Sequence, residues 1–249
     1  MKVLIAGESW QTHQIHMKGF DSFVNSNYET GVQWLKEALE SNQISVDFIP
    51  NHEAPLRFPT EIEVLKQYAV VILSDIGSNT LLIHPDTFYR SIRTPNRLSL
   101  LKQYVEDGGG LCMIGGYLTF QGIDGRGHWH GTKVEEVLPV TLQATDDRVE
   151  VPEGFSPVVT LPQHPVLKGI PQCWPWFLGY NQLTLKPQAE LILEYNGDPI
   201  LAVQQIGSGR TAAFASDCAP HWGSVAFINW EYYRQFWAQL ITWLAHLSR

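Results

Sequence analysis

Asp217 and His221 stand four residues apart in Ser216-Asp217-Cys218-Ala219-Pro220-His221-Trp222. At that spacing a carboxylate can orient an imidazole for proton transfer near neutral pH. The same residues could equally be a turn residue and a surface histidine around Pro220. Three other segments offer acids, bases and hydrogen-bonding groups. They are Gly7-Glu8-Ser9-Trp10 with His13, His16 and Lys18; Asp75-Ile76-Gly77-Ser78-Asn79-Thr80; and Gly116-Tyr117 with Thr119 and Gln121. Each follows a short apolar run. Ligands of open parallel sheets bind beyond the carboxyl ends of the strands, so the four segments are expected to meet at one edge. There Asp217, His221 and Tyr117 are candidates for catalysis, and Glu8, Trp10, His16, Lys18, Asp75, Asn79, Gly116 and Trp222 for ligand binding. Glu8 and Asp75 have a simpler role open to them, as helix caps.

Cys112 is the other candidate nucleophile. It lies in Asp107-Gly108-Gly109-Gly110-Leu111-Cys112-Met113-Ile114-Gly115-Gly116, whose glycines suggest a strand-to-helix elbow of the kind that presents a nucleophile. If Cys112 stood on the elbow, the strand before it would be Glu106 to Gly110, and no buried strand has that composition. The apolar run is Leu111 to Ile114. Cys112 is therefore expected inside the strand as a small buried hydrophobe, with the turn at Gly115-Gly116. His128 and His130 alternate as strand ligands would, but no acid or cysteine completes a zinc set, and no metal is expected. Gly108-Gly109-Gly110 precedes a strand instead of opening a helix, so it is no phosphate cradle, and no cofactor is expected.

The elements that position these residues alternate. Val3 to Ala6, Ser45 to Ile49, Ala69 to Ser74 and Leu111 to Ile114 read as strands, and Glu29 to Ser41 and Leu98 to Glu106 as helices. Gly7 to Ser26 reads as a polar connection. Strands that are continuous apolar runs between helices imply a parallel sheet covered on both faces. From Val134 to Pro162 β-branched residues predict antiparallel additions. Leu191 to Tyr195, Ile200 to Gln204 and Thr211 to Ala215 are three more strands, the last two a hairpin around Gly207-Ser208-Gly209. Trp230, Tyr233, Trp237, Leu240, Ile241, Leu244 and Leu247 mark a closing helix. With no repeat or linker, residues 1–249 are expected to form one α/β domain. Loop residues Trp174, Trp176 and Trp222 could stack on a flat ligand, while Trp230, Trp237 and Trp243 on the closing helix suit the core.

Acidic residues outnumber lysine and arginine by 25 to 17, for a net charge of −8, which disfavours nucleic acid and anionic membranes as partners. The first residues read as a strand and not a signal peptide, and no run approaches the roughly eighteen apolar residues of a membrane span. Three cysteines in no metal-like spacing suit a reducing compartment, so a cytoplasmic protein is expected.

Several stretches resemble the bacterial proteins described as "putative glutamine amidotransferase", in the class I glutamine amidotransferase-like superfamily. They include Gly7-Glu8-Ser9-Trp10, His16-Met17-Lys18-Gly19-Phe20-Asp21, Ser74 to Thr80, Gly115 to Gly122, Val134 to Val140, Asp146-Asp147-Arg148-Val149 and Ser216 to Trp222. The resemblance implies a flavodoxin-like, doubly wound fold. Active members carry Gly-x-Cys-x-Gly at the elbow and a late His-x-Glu. Here Gly115-Gly116-Tyr117-Leu118-Thr119 puts tyrosine at the cysteine position, and Gly110-Leu111-Cys112-Met113-Ile114 ends on isoleucine. Asp217 and His221 stand where His-x-Glu belongs, in a different order and spacing. The leading expectation is a triad-less protein binding a small polar or sugar-like molecule. One rival is a hydrolase using Cys112 or the Asp217–His221 pair. Another is a non-catalytic subunit that binds a partner or self-associates as a homo-oligomer.

Overall fold

Lys2–Gly7 (β1) buries every residue after the first, as a strand covered on both faces of its sheet must. The computed structural model describes residues 1–247. After β1 come β2 (Ser9–Lys18), β3 (Asp21–Thr30), α1 (Gln33–Glu40) and β4 (Ser45–Ile49). Short helices α2 (Ala54–Arg57) and α3 (Ile62–Leu65) precede β5 (Val70–Ser74). The chain passes through α4 (Ser78–Leu82), α5 (Pro85–Arg90) and α6 (Arg97–Glu106) to β6 (Gly110–Ile114). Then follow α7 (Lys133–Val137), β7 (Val140–Thr141), β8 (Arg148–Phe155), β9 (Val158–Val159), β10 (Phe177–Asn181) and β11 (Thr184–Leu185). β12 (Glu190–Tyr195), β13 (Asp198–Ile206), β14 (Gly209–Phe214), α8 (Val225–Ile228) and α9 (Tyr233–Leu244) complete it.

Eight strands form the main sheet in the order β4-β1-β5-β6-β14-β13-β12-β9. The first five are parallel neighbours; β13, β12 and β9 add on antiparallel. The parallel part is doubly wound and flavodoxin-like. From β1 the chain crosses leftward to β4, then returns past β1 to β5. Right-handed crossovers in opposite directions put helices on opposite faces, and the reversal leaves a crevice between β1 and β5. α1 packs on α9, while α6 packs on α3, α4 and α7. Leu4, Ile5, Ile72, Leu73, Met113, Phe214, Phe236, Trp237 and Leu240 lie wholly inside one apolar cluster. No helix among the described residues is long and apolar enough to cross a membrane.

Two expected elements are corrected. The polar connection Gly7 to Ser26 is instead a long antiparallel ribbon, β2–β3, paired from Ser9↔Thr30 to Lys18↔Asp21. The ribbon has no buried face, so its sequence lacks the alternation that signals a half-buried strand. The first helix starts at Gln33, not Glu29, because Glu29 and Thr30 are spent pairing with Trp10 and Ser9. His128 and His130 flank the buried Trp129 in a loop, so their spacing is not that of strand ligands.

Candidate functional site

β1 and β5 flank the switch point, and the residue immediately after each turns sharply. Glu8 has φ 45° and Asp75 φ 44°, a left-handed conformation that side-chain-bearing residues seldom adopt. The turn sends the Glu8 carboxyl inward. Gly31 opposite must lack a side chain, since a Cβ there would sit 2.3 Å from Glu8 Oε1. Ser74 Oγ donates to Glu8 Oε2 at 2.5 Å, and Cys218 Sγ lies 3.9 Å from the same oxygen. Burial, reinforced by the neighbouring acids Asp217 and Asp75, holds the Glu8 carboxyl well above the usual carboxylate range.

Asp75 reaches the elbow after β6. Its Oδ1 accepts the N–H of Leu118 at 2.9 Å. The N–H of Gly116 donates to Asn181 Oδ1 at 3.1 Å, and Asn181 Nδ2 donates in turn to Asp147 Oδ1 at 2.7 Å. The backbone donors of the elbow are thus committed to side chains of the same protein. Burial, with the charge of Asp217, pushes the Asp75 carboxyl up to about 6 against the pull of these donors.

Asp217 is buried and bonds both ways: Oδ1 accepts the Ala219 N–H at 3.0 Å, and Oδ2 lies 3.4 Å from His221 Nδ1. The expected pair therefore forms. Its histidine faces outward with 39% of its side chain exposed. Desolvation pulls the imidazole pKa down, but the Asp217 hydrogen bond and charge, with Asp75 and Glu150 behind them, outweigh it and raise the pKa overall. The ring stacks on Trp222 at 5.1 Å between centroids and takes the edge of Tyr117 at 4.5 Å. Glu150 ties both aromatics down, accepting from Tyr117 Oη at 3.0 Å and from Trp222 Nε1 at 2.9 Å. The Arg148 guanidinium caps the Tyr117 ring at 4.7 Å while bonded to Asp146. Gly179 makes room for the indole; a Cβ there would lie 2.3 Å from Trp222 Nε1.

Neither buried cysteine supplies a thiolate. Cys112 is mid-strand and fully buried, and desolvation pushes its thiol pKa up. Cys218 is pushed up in the same way, with the charges of Glu8 and Asp217 adding to it. Glu8, Asp217 and Cys218 offer ligand atoms within 4.8 Å of one another, yet a cation would have to displace protons held by Glu8 and Cys218.

Glu8, Asp75, Gly116, Tyr117, Asp217, His221 and Trp222 come together at the strand ends. Trp10, His16 and Lys18 do not join them: all three lie on the ribbon, where Trp10 donates to Glu29 and His16 stacks on Phe23. Asn79 is exposed on α4. Trp174 packs against Phe227, Trp230 and Phe236, in the core and not in the cleft. Sequence reasoning missed Arg148, Glu150 and Asn181 as site residues. Arg148 alone had a signal, as part of Asp146-Asp147-Arg148-Val149, one of the stretches that carried the family resemblance; Glu150 and Asn181 had none.

A family model described as "Putative glutamine amidotransferase" matches residues 2–246. Two cytoplasmic proteins of Salmonella typhimurium have closely similar structures. Each is 45% identical, with 98% of this chain and 99% of theirs covered, at TM-scores of 0.95 and 0.94. A ThuA-like protein of Parabacteroides merdae shares the fold at 12% identity and a TM-score of 0.55, over 98% of this chain and 89% of its own. No curated protein matches the chain.

Proposed function

The chain belongs to the family described as "Putative glutamine amidotransferase", and from that premise we propose that it binds a small, hydroxyl-rich polar metabolite at the strand ends and does not hydrolyse glutamine. The observation that carries this reading is the elbow. Acyl transfer from glutamine needs a thiolate nucleophile and free N–H donors for the developing oxyanion. Tyr117 occupies the nucleophile position, both buried thiols are held protonated, and the Leu118 and Gly116 N–H groups are already paired.

What the site offers instead suits hydroxyl groups. Carboxyl oxygens of Asp75 and Glu150 accept hydrogen bonds, the His221 ring can donate, and the Tyr117, His221 and Trp222 rings give the flat apolar surface on which a sugar-like face can stack. If the ligand is turned over, His221 is the proton donor or acceptor and Asp217 holds its ring. A cytoplasmic location, the description carried by both Salmonella relatives, fits the reading.

The test pairs a glutaminase assay with a thermal-shift screen of pentoses, hexoses, polyols and amino sugars. Glutamate release abolished by Cys112→Ala would overturn the reading. A sugar or polyol that raises the melting temperature of the wild type but not of His221→Ala would support it, since binding to the native state alone raises apparent stability.

A further inference from the structure

The β2–β3 ribbon takes no part in the strand-end cluster. Its ten-residue strands pair with each other along their whole length, and its ties to the body are at the base, where Asn51 bonds Ser9 and His52 meets the Tyr28 ring. Residues directly opposite in an antiparallel pair share a face. Ile15 opposite Val24, with Met17 beside them, therefore forms an exposed apolar band on one face, and Phe20 stands wholly exposed at the tip. A two-stranded hairpin alone in water is marginally stable at best, and soluble chains seldom leave such surface uncovered.

The body carries a second exposed apolar patch. Leu82 and Ile83 at the end of α4, Phe88 and Tyr89 on α5, and Ile92 beyond it are all exposed, with Arg90 and Arg93 among them. These helices follow β5 as the ribbon follows β1, so ribbon and patch belong to the same end of the sheet. We propose that the ribbon of one copy docks its Ile15–Met17–Val24 face on the α4–α5 patch of a second copy.

Three observations favour a second copy as the occupant. The apolar ribbon and an apolar acceptor are present in one chain. The docking face itself is free of charge: Lys18, Asp21 and Glu29, the ribbon's only Lys, Arg, Asp or Glu residues, all lie on its opposite face, so in a chain of net charge −8 this is where two copies approach with least repulsion. The area also suffices. A ribbon of this length is about 33 Å long and about 10 Å wide, so one face covers on the order of 300 Å². One contact buries about twice that, and a reciprocal pair about 1,200 Å², the threshold of a stable specific interface. A contact between two different surfaces repeats in every copy, so the assembly closes as a reciprocal pair or a ring, or runs on as an open chain where the rotation does not close.

The experiment measures the mass of the full chain by light scattering at high micromolar concentration. The expected mass is an integer multiple, two or more, of the 28.2 kDa chain. Ile15→Asp with Val24→Asp, and separately Phe88→Asp with Tyr89→Asp, should each give monomers that keep the helical circular dichroism and cooperative unfolding of the body; all four residues are exposed, so the core does not depend on them. Mixing the two variants leaves one intact ribbon and one intact patch, half the reciprocal area, so the two should associate one-to-one but more weakly than the wild type. A monomeric wild type or a mass insensitive to either substitution would overturn the proposal.

Discussion

Asp75 Oδ1 accepts the backbone N–H of Leu118 at 2.9 Å, so a carboxylate of the protein's own occupies the donor that an acyl-transfer elbow keeps open for its oxyanion. The expected consequence is that restoring a thiol does not restore the reaction. Tyr117→Cys should release no more glutamate from glutamine than the wild type. Measurable glutaminase activity in that variant would mean that the elbow donors are free to turn toward substrate.

The raised carboxyls also fix the sign of a pH effect. A carboxyl whose pKa is higher folded than unfolded takes up a proton on folding, so stability falls as pH rises through the interval between the two values. For Asp75 that interval runs from its ordinary value of 3.8 to about 6, and Glu8 acts in the same direction. Asp75→Asn keeps an oxygen for Leu118 and removes the charge. It should raise stability at pH 8 by about 1 to 3 kcal/mol, with little change at pH 4, because a tenfold difference in proton affinity between folded and unfolded chains is worth about 1.4 kcal/mol. Urea titrations at the two pH values measure it. Equal effects at both would contradict the assignment.

His221 titrates by the opposite chemistry but leaves the same trend. Its imidazolium is favoured by Asp217, so the pair's contribution is full below the ordinary histidine value and fades as pH rises through the raised folded value. Proton NMR of the ring should give a pKa above 6.5, and Asp217→Asn should lower it. A titration unchanged by Asp217→Asn would show that the 3.4 Å contact does not persist in solution.

The three thiols should separate cleanly. Cys173 is exposed and should label quickly in the native protein, whereas buried Cys112 and Cys218 should label only as the chain opens. Cys112→Ala is expected to cost about 1 to 2 kcal/mol in chemical denaturation, the scale of a small core truncation. Rapid native-state labelling of Cys112 would contradict its burial.

The parallel strands were legible because burial on both faces forces continuous apolar runs, as in Val70-Val71-Ile72-Leu73. Once those strands were placed, the strand-end rule located Glu8, Asp75, Tyr117, Asp217 and His221 without any side-chain coordinates. The ribbon was not legible, because neither of its faces is buried and pairing without burial leaves no periodicity. That is also why Trp10, His16 and Lys18 were expected at the cleft: they follow Glu8 in sequence, but the ribbon carries them away. Arg148 and Glu150 were hidden for a different reason. They lie on β8, outside the main sheet, and only β8's antiparallel pairing with β10 places it beside the cleft.

If the cluster around His221 is a ligand site, a thermal-shift comparison across sugars, polyols and amino sugars at pH 7 tests it most directly. At least one compound is expected to raise the melting temperature of the wild type, with the shift lost in His221→Ala and reduced in Asp217→Asn. A compound that shifts all three proteins equally, or a screen in which none shifts the wild type, would contradict it.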